Sequence, residues 1–164
     1  MDGAVNSRVA LIVLSDRAAS GERPDACIPV MKERLGPAYT IAVEEVLPDD
    51  PSALQARLID LCDRGEVGLI LTSGGTGLSP RDRTPQATLA ILDYEVPGIA
   101  EAIRAVSFQI VRSAMLSRAV AGVRHNTLIV NLPGSPKAVG ESLDVITAVL
   151  PHALELLRGE VVDG

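Results

Sequence analysis

The sequence predicts an α/β protein, a three-layer α/β/α arrangement with a mostly parallel central sheet. Two features carry that reading. Short apolar runs, Arg8–Leu14, Gly68–Leu71 and Thr127–Val130, have the length and composition of buried parallel strands. Between them lie stretches whose apolar residues recur at helical spacing, so strand and helix alternate along the chain. A third feature places the ligand. The strands give way at their carboxyl ends to polar or glycine-containing residues, and in a parallel sheet those ends share one edge. No linker, repeat or low-complexity segment interrupts the pattern, so a single domain is expected over residues 1–164.

In chain order, Arg8–Leu14 is a central first strand ending at Ser15-Asp16-Arg17. A loop runs to Pro24, and Asp25 is placed to cap a helix in which Ile28, Met31 and Leu35 share a face; Gly36-Pro37 stops it. Tyr39 to Leu47 mixes Ile41, Val43 and Val46 with acids, a strand with one less buried face. It ends at Pro48-Asp49-Asp50-Pro51, where Asp50 before a proline reads as a helix cap and leaves Asp49 as the freer carboxylate. Leu54, Leu58 and Leu61 mark a helix to about Asp63, with Gly65 near its end.

The organising stretch follows, from Gly68 to Pro85. After the apolar run come Thr72, Ser73, Gly74, Gly75, Thr76 and Gly77. Glycines let the backbone turn sharply and approach a ligand, hydroxyls add polar contacts, and successive amides can form an anion-binding concavity. Asp82 then sits between Arg81 and Arg83, and Thr84-Pro85 reads as a helix cap with proline at the first helical position. The two common phosphate motifs fail. No Gly-Lys occurs anywhere, as a Walker loop requires, and Pro80 stands where a dinucleotide fingerprint needs its third glycine. The missing fingerprint discounts an NAD-dependent oxidoreductase.

Beyond Pro85, a short helix is expected over Ala87–Leu92, a break at residues 93–98, and a helical period over Ile99–Val111, with Arg104 and Arg112 read as solvated helix charges. Periodicity does not settle Ser113–Arg118. Gly122 and Arg124–Asn126 read as a turn before the strand Thr127–Val130, which ends at Asn131-Leu132-Pro133-Gly134-Ser135-Pro136-Lys137. A last helix carries Val139, Leu143, Ile146, Leu150, Leu154 and Leu157, with a kink at Pro151.

Composition narrows the function. Hydrophobic residues make up 47% of the 164 residues but aromatics only 2%, so the core is built from Ala, Val, Leu and Ile. Fifteen Lys and Arg against 21 Asp and Glu leave a formal net charge of −6, which argues against general nucleic-acid or membrane-surface binding. The apolar runs fall short of a membrane span, and Met1–Asn6 lacks the pattern of a signal peptide, so a cytoplasmic protein is expected. Cys27 and Cys62 read as packing residues of a reduced compartment, and with His125 and His152 they lack zinc-ligand spacing.

The polar edge therefore offers Ser15, Asp16, the Thr72–Gly77 loop, Arg81, the turn Pro133–Lys137, and two spare carboxylates, Asp49 and Asp82. Carboxylates beside phosphate-binding loops suit a hydrated Mg²⁺, which takes one or two of them plus substrate phosphates. These residues point to a Mg²⁺-dependent phosphoryl or nucleotidyl transfer.

Five blocks in order give that chemistry a family. Ser15–Gly21, Leu47–Asp50, Thr72–Gly77, Arg81–Thr88 and Asn131–Lys137 together resemble the MogA/MoaB molybdenum cofactor biosynthesis family, related to the gephyrin G domain. The likeness runs from about Arg8 to Leu157; Pro97-Gly98 and Met115–Arg118 match as well. The resemblance implies a MoaB/MogA-like fold and a molybdopterin adenylyltransferase that uses ATP, molybdopterin and Mg²⁺. Asp49 and Asp82 would serve metal and catalysis. Thr72, Ser73, Gly74, Gly75, Thr76, Gly77 and Arg81 would take phosphate, while Ser15, Asp16, Pro133, Gly134, Ser135 and Lys137 line the pocket. It also implies a homotrimer that hands its product to a molybdenum-insertion protein. The alternative is a noncatalytic, MoaB-like molybdopterin-binding or scaffold protein.

Overall fold

The computed structural model describes residues 7–160, so Met1–Asn6, read above for a leader pattern, lies outside the described residues. Six strands form one sheet in the order β2-β1-β3-β6-β5-β4. They are β1 (Arg8–Leu14), β2 (Thr40–Leu47), β3 (Leu69–Ser73), β4 (Tyr94–Glu95), β5 (Ala121–Arg124) and β6 (Thr127–Leu132). β1 pairs in parallel with both β2 and β3, and β3 pairs in parallel with β6. β5 runs antiparallel to both β6 and β4, so the sheet is mixed but mostly parallel.

Helices cover both faces, as the alternating strand residues require. On one face α2 (Cys27–Leu35), α5 (Pro97–Ile110), α6 (Pro136–Ile146) and α7 (Leu150–Leu157) pack on Val9, Leu11, Leu69, Leu71, Leu128 and Val130. On the other, α3 (Pro51–Arg64) and α4 (Thr84–Leu89) pack on Ala10, Ile12, Ile70 and Ile129. A short α1 (Asp16–Ala19) follows β1 directly.

Capping follows the sequence closely at two helices. Asp25 accepts from the amides of Cys27 and Ile28 ahead of α2. Asp50 accepts from Ser52 and Ala53 ahead of α3, whose end is closed by Gly65 in the left-handed region. Thr84 differs. It opens α4 with no side-chain cap; it is buried, and its amide donates to the Gly75 carbonyl. α4 spans Thr84–Leu89 rather than Ala87–Leu92, and α5 starts at Pro97 rather than Ile99.

The expected single last helix is two. The amide of Val149 closes a tight turn on the Ile146 carbonyl, and Pro151 sits in the first turn of α7, where its missing N–H leaves no bond unmade. The break at residues 93–98 and the turn at Gly122 prove to hold two short strands, with Tyr94 opposite Val123 and Glu95 opposite Gly122. Only residues 125–126 turn between β5 and β6. The unsettled Ser113–Arg118 stretch begins inside a 3₁₀ turn, Arg112–Leu116. No helix among the described residues is long and apolar enough to cross a membrane.

Leu71 is fully buried in β3, between the two parallel neighbours of that strand. Leu71→Ala should lower stability by about 2 to 5 kcal/mol through lost transfer energy and a residual cavity. Urea unfolding of the purified variant measures it.

Candidate functional site

The parallel strands end together, and a cleft of about 900 Å³ opens there. Its walls include Ser15 and Asp16 after β1, Asp49 after β2, Ser73 and Gly75 at the end of β3, Arg81 and Asp82 in the loop beyond, and Gly134 and Ser135 after β6. β1 lies between β2 and β3, so the connections leave it toward opposite sides. Such a switch point is where open α/β sheets hold ligands.

Two backbone features shape the floor. Gly75 has φ +68°, and a Cβ there would overlap the Thr84 hydroxyl. A Cβ on Gly77 would stand 2.9 Å from Asp82 Oδ2, so its absence leaves room for that carboxylate. The Ser73 hydroxyl donates to the Pro133 carbonyl at 2.7 Å and the Gly74 amide to Leu132 at 3.1 Å, tying the β3 loop to the β6 turn.

Asp16 and Asp49 are joined reciprocally. The Asp49 amide donates to Asp16 Oδ1 at 2.9 Å, and the Asp16 amide donates to Asp49 Oδ2 at 3.1 Å. Arg81 closes on Asp16 with two bonds of 2.8 Å, the planar fork that guanidinium offers a carboxylate. The Arg81 hydrogen bond and the Asp49 amide hold the Asp16 carboxyl below its ordinary range. Asp49 moves the other way. Burial pushes its carboxyl up, the like charges of Asp16 and Asp82 add to this, and the Asp16 amide and Arg81 only partly offset it.

Asp82 Oδ2 accepts from the Ser79 amide at 3.1 Å. The remaining oxygen of Asp49 and of Asp82 takes no hydrogen bond within the described residues. Two partly buried carboxylates with a free oxygen each suit a hard, hydrated divalent cation, which relieves their mutual repulsion. No cluster of three or more metal-ligating side chains occurs among the described residues, so water and substrate oxygens would complete the coordination.

The other sequence-predicted residues fall into four places. Thr76, Gly77 and Pro133 line an adjoining, more apolar groove of about 310 Å³ beneath α5 and the 3₁₀ turn, which Ser135 also reaches. Thr72 is fully buried and lines neither space; its hydroxyl accepts from Asn131 Nδ2 at 2.9 Å. That amide also donates to Thr88, so Asn131 serves the core. Gly74 is buried behind the cleft, and Lys137 is exposed on the first turn of α6, outside both spaces.

Some contributors were not singled out by the sequence as site residues. Arg17 and Arg23 line the cleft, and neither makes an ion pair within the described residues. Arg17 in the short α1 and Arg23 in the loop after it look in sequence like solvated charge. Arg104, read as solvated, donates to the carbonyls of Ser117 and Ala119 at 3.3 and 2.8 Å. Cys27 also lines the cleft, with its thiol on the Gly134 carbonyl and its pKa raised by burial. Burial pushes the Cys62 thiol to about 11. Neither thiol is poised as a nucleophile. His125 lies at the far edge of the sheet, 2.9 Å from Asp63, a structural role.

A sheet of this topology with a carboxylate-lined cleft at its switch point defines an open α/β protein with a ligand cleft at the carboxyl ends of its parallel strands. Residues 10–152 match the family described as "Probable molybdopterin binding domain". The chain belongs to that family, and within it to the MogA/MoaB proteins. It is 39% identical to a molybdopterin adenylyltransferase of Escherichia coli, over 95% of this chain and 88% of the relative. The solved structure of the molybdopterin biosynthesis enzyme MoaB of Thermus thermophilus is 50% identical, with a TM-score of 0.87 over 93% of this chain and 96% of that one. The molybdopterin biosynthesis Mog protein of Mycobacterium ulcerans is 43% identical, with a TM-score of 0.85 over 94% and 98%.

The Asp49 carboxyl titrates near 3.8 when unfolded and higher when folded. Between those values the folded chain holds the extra proton, so this group lowers stability as pH rises through that window and above it. Asp49→Asn should therefore raise the melting temperature at pH 7, with the difference narrowing as pH falls toward 3.8. Differential scanning calorimetry across that pH range checks it. Asp16 has the opposite sign: its contribution is present above 3.8 and is lost as pH falls through its lower folded value.

Proposed function

We propose that the protein is a molybdopterin adenylyltransferase, moving AMP from ATP to the terminal phosphate of molybdopterin with release of pyrophosphate. The observation that carries the reading is the convergence of Asp49 and Asp82 on one cleft with an amide-rich glycine loop and unpaired arginines. The similarity to an Escherichia coli protein of that name supports it.

The reaction joins two polyanions. A terminal phosphate oxygen of molybdopterin attacks the α-phosphorus of ATP; the new P–O bond forms as the bond to the β-phosphate bridging oxygen breaks, and pyrophosphate carries away the electron pair. Repulsion between the phosphates and their alignment dominate the barrier. Arg17 and Arg23 at the rim offset negative charge, and Ser73 and Gly75 of the glycine loop border the space the phosphates would take. Asp49 and Asp82 would hold Mg²⁺. Mg²⁺ supplies charge compensation on the reacting phosphates and the leaving pyrophosphate. Asp16 holds Asp49 in place from behind, through the reciprocal amide bonds.

Arg81 has a different part from the simple anion-binding residue expected of it. Its charge is committed to Asp16, so its effect on substrate is exerted through the Asp16–Asp49 pair until a phosphate competes for it. The same reading makes the protein a cytoplasmic homotrimer that passes its product to a molybdenum-insertion protein. Exposed apolar residues along α5 and the 3₁₀ turn, Val106, Ile110, Val111, Met115 and Leu116, offer a face that a second copy would cover. A second reading is a noncatalytic, MoaB-like molybdopterin-binding protein, which the match to the probable molybdopterin binding domain equally fits.

Asp82→Asn should lower the rate of adenylyl-molybdopterin formation by about a hundredfold or more while the melting temperature stays close to that of the wild type. Chromatography of reactions holding protein, molybdopterin, ATP and Mg²⁺ reads the product. Product from the wild type alone supports the transferase; molybdopterin binding without product from either protein supports the noncatalytic reading.

A further inference from the structure

Arg118 touches neither the cleft nor the groove beside it. All of its hydrogen bonds go to main-chain carbonyls of the loop that carries Asp82. Its amide donates to Thr76 at 2.9 Å, its Nε to Gly77 at 2.9 Å, and its Nη2 to Asp82 at 2.6 Å. Gly77 and Asp82 are the two ends of an otherwise exposed excursion, residues 78–81. One guanidinium therefore closes its neck.

From these contacts we infer that Arg118 is a positioning residue for Asp82, an assignment that rests on the transferase reading above. Inside the excursion the Ser79–Asp82 turn adds a local restraint, with the Asp82 amide on the Ser79 carbonyl and the Ser79 amide on Asp82 Oδ2, and the exposed Arg81 side chain forks onto Asp16. That turn is local and moves as a unit with Asp82. Arg81 reaches Asp16 through a long exposed side chain, whereas Arg118 binds the main chain at both ends of the excursion and so fixes the backbone that carries Asp82. The cation binds the main-chain carbonyl of Asp82 and leaves the carboxylate alone, so it sets position without neutralising the negative charge the cleft uses.

The segment bearing Arg118 is itself anchored. Arg104 on α5 donates to the carbonyls of Ser117 and Ala119, the residues on either side. Position thus passes from α5 through two arginines to the Asp82 loop, each step a charged donor on backbone carbonyls. A lysine cannot replace Arg118, because a single ammonium lacks the planar fork that spans two carbonyls. Small displacements of a reacting or metal-holding group cost rate more than they cost binding.

The test compares wild type, Arg118→Lys, and Arg118→Ala with and without millimolar guanidinium, by steady-state kinetics and by hydrogen–deuterium exchange of the peptide over residues 76–83. In Arg118→Lys, kcat should fall about tenfold or more while the KM for ATP stays within about twofold, and exchange should quicken in that peptide but not in β1, β3 or β6. Guanidinium should restore part of the Arg118→Ala rate. An Arg118→Lys enzyme with wild-type kcat overturns the assignment, and so does faster exchange spread evenly over the sheet. If the wild type itself forms no adenylyl product, the transferase reading fails and exchange alone decides. Loosening confined to residues 76–83 then supports the clamp, and unchanged exchange there overturns it.

Discussion

In-register parallel pairing is the constraint on which the rest depends. Val13 lies opposite Ser73, Ser73 opposite Leu132, and Leu14 opposite Leu47, so four strands run out along one line. The segments that follow the strand ends then border the same space. A slip of one residue in β3 would turn Leu69 and Leu71 to the wrong helical layer and swing the glycine loop away from Asp49. The two apolar layers on either side of the sheet hold that register, because alternate residues of each strand belong to different cores.

On this frame the cleft carries more negative charge than a phosphate site is expected to hold. Asp16, Asp49 and Asp82 converge there, and the fork of Arg81 is taken by Asp16. The strain falls on Asp49, whose burial surfaces as a raised pKa. Such an arrangement is poor as a bare anion site and good as a cation seat to which anions are then brought. Stability is given up locally for a carboxylate that a divalent ion would satisfy.

Placement of the third carboxylate depends on groups outside the cleft. Asp82 rides on an exposed excursion, and main-chain carbonyls at its neck are gathered by Arg118, itself braced through Arg104. Elsewhere the same device recurs in neutral form. Asn131 bridges Thr72 and Thr88 within the core, fixing the end of β6 against β3 and α4.

By itself the sequence determined the class of fold, the four parallel strands, the caps at Asp25 and Asp50, and the strand-end residues that meet in the cleft. These are local properties: apolar periodicity, carboxylates before helix starts, and glycines where the chain must turn. Tertiary structure alone decided the edge strands at Tyr94–Glu95 and Ala121–Arg124, which are too short to show a period and exist only by pairing with each other and with β6. It also decided which polar residues reach the ligand space. Thr72 and Thr76 look alike in the loop sequence, yet one is paired in the core and the other borders the groove. Arg104 reads as surface charge and Arg118 falls in a stretch without a period. Their acceptors are backbone carbonyls, which every residue carries and no sequence pattern marks.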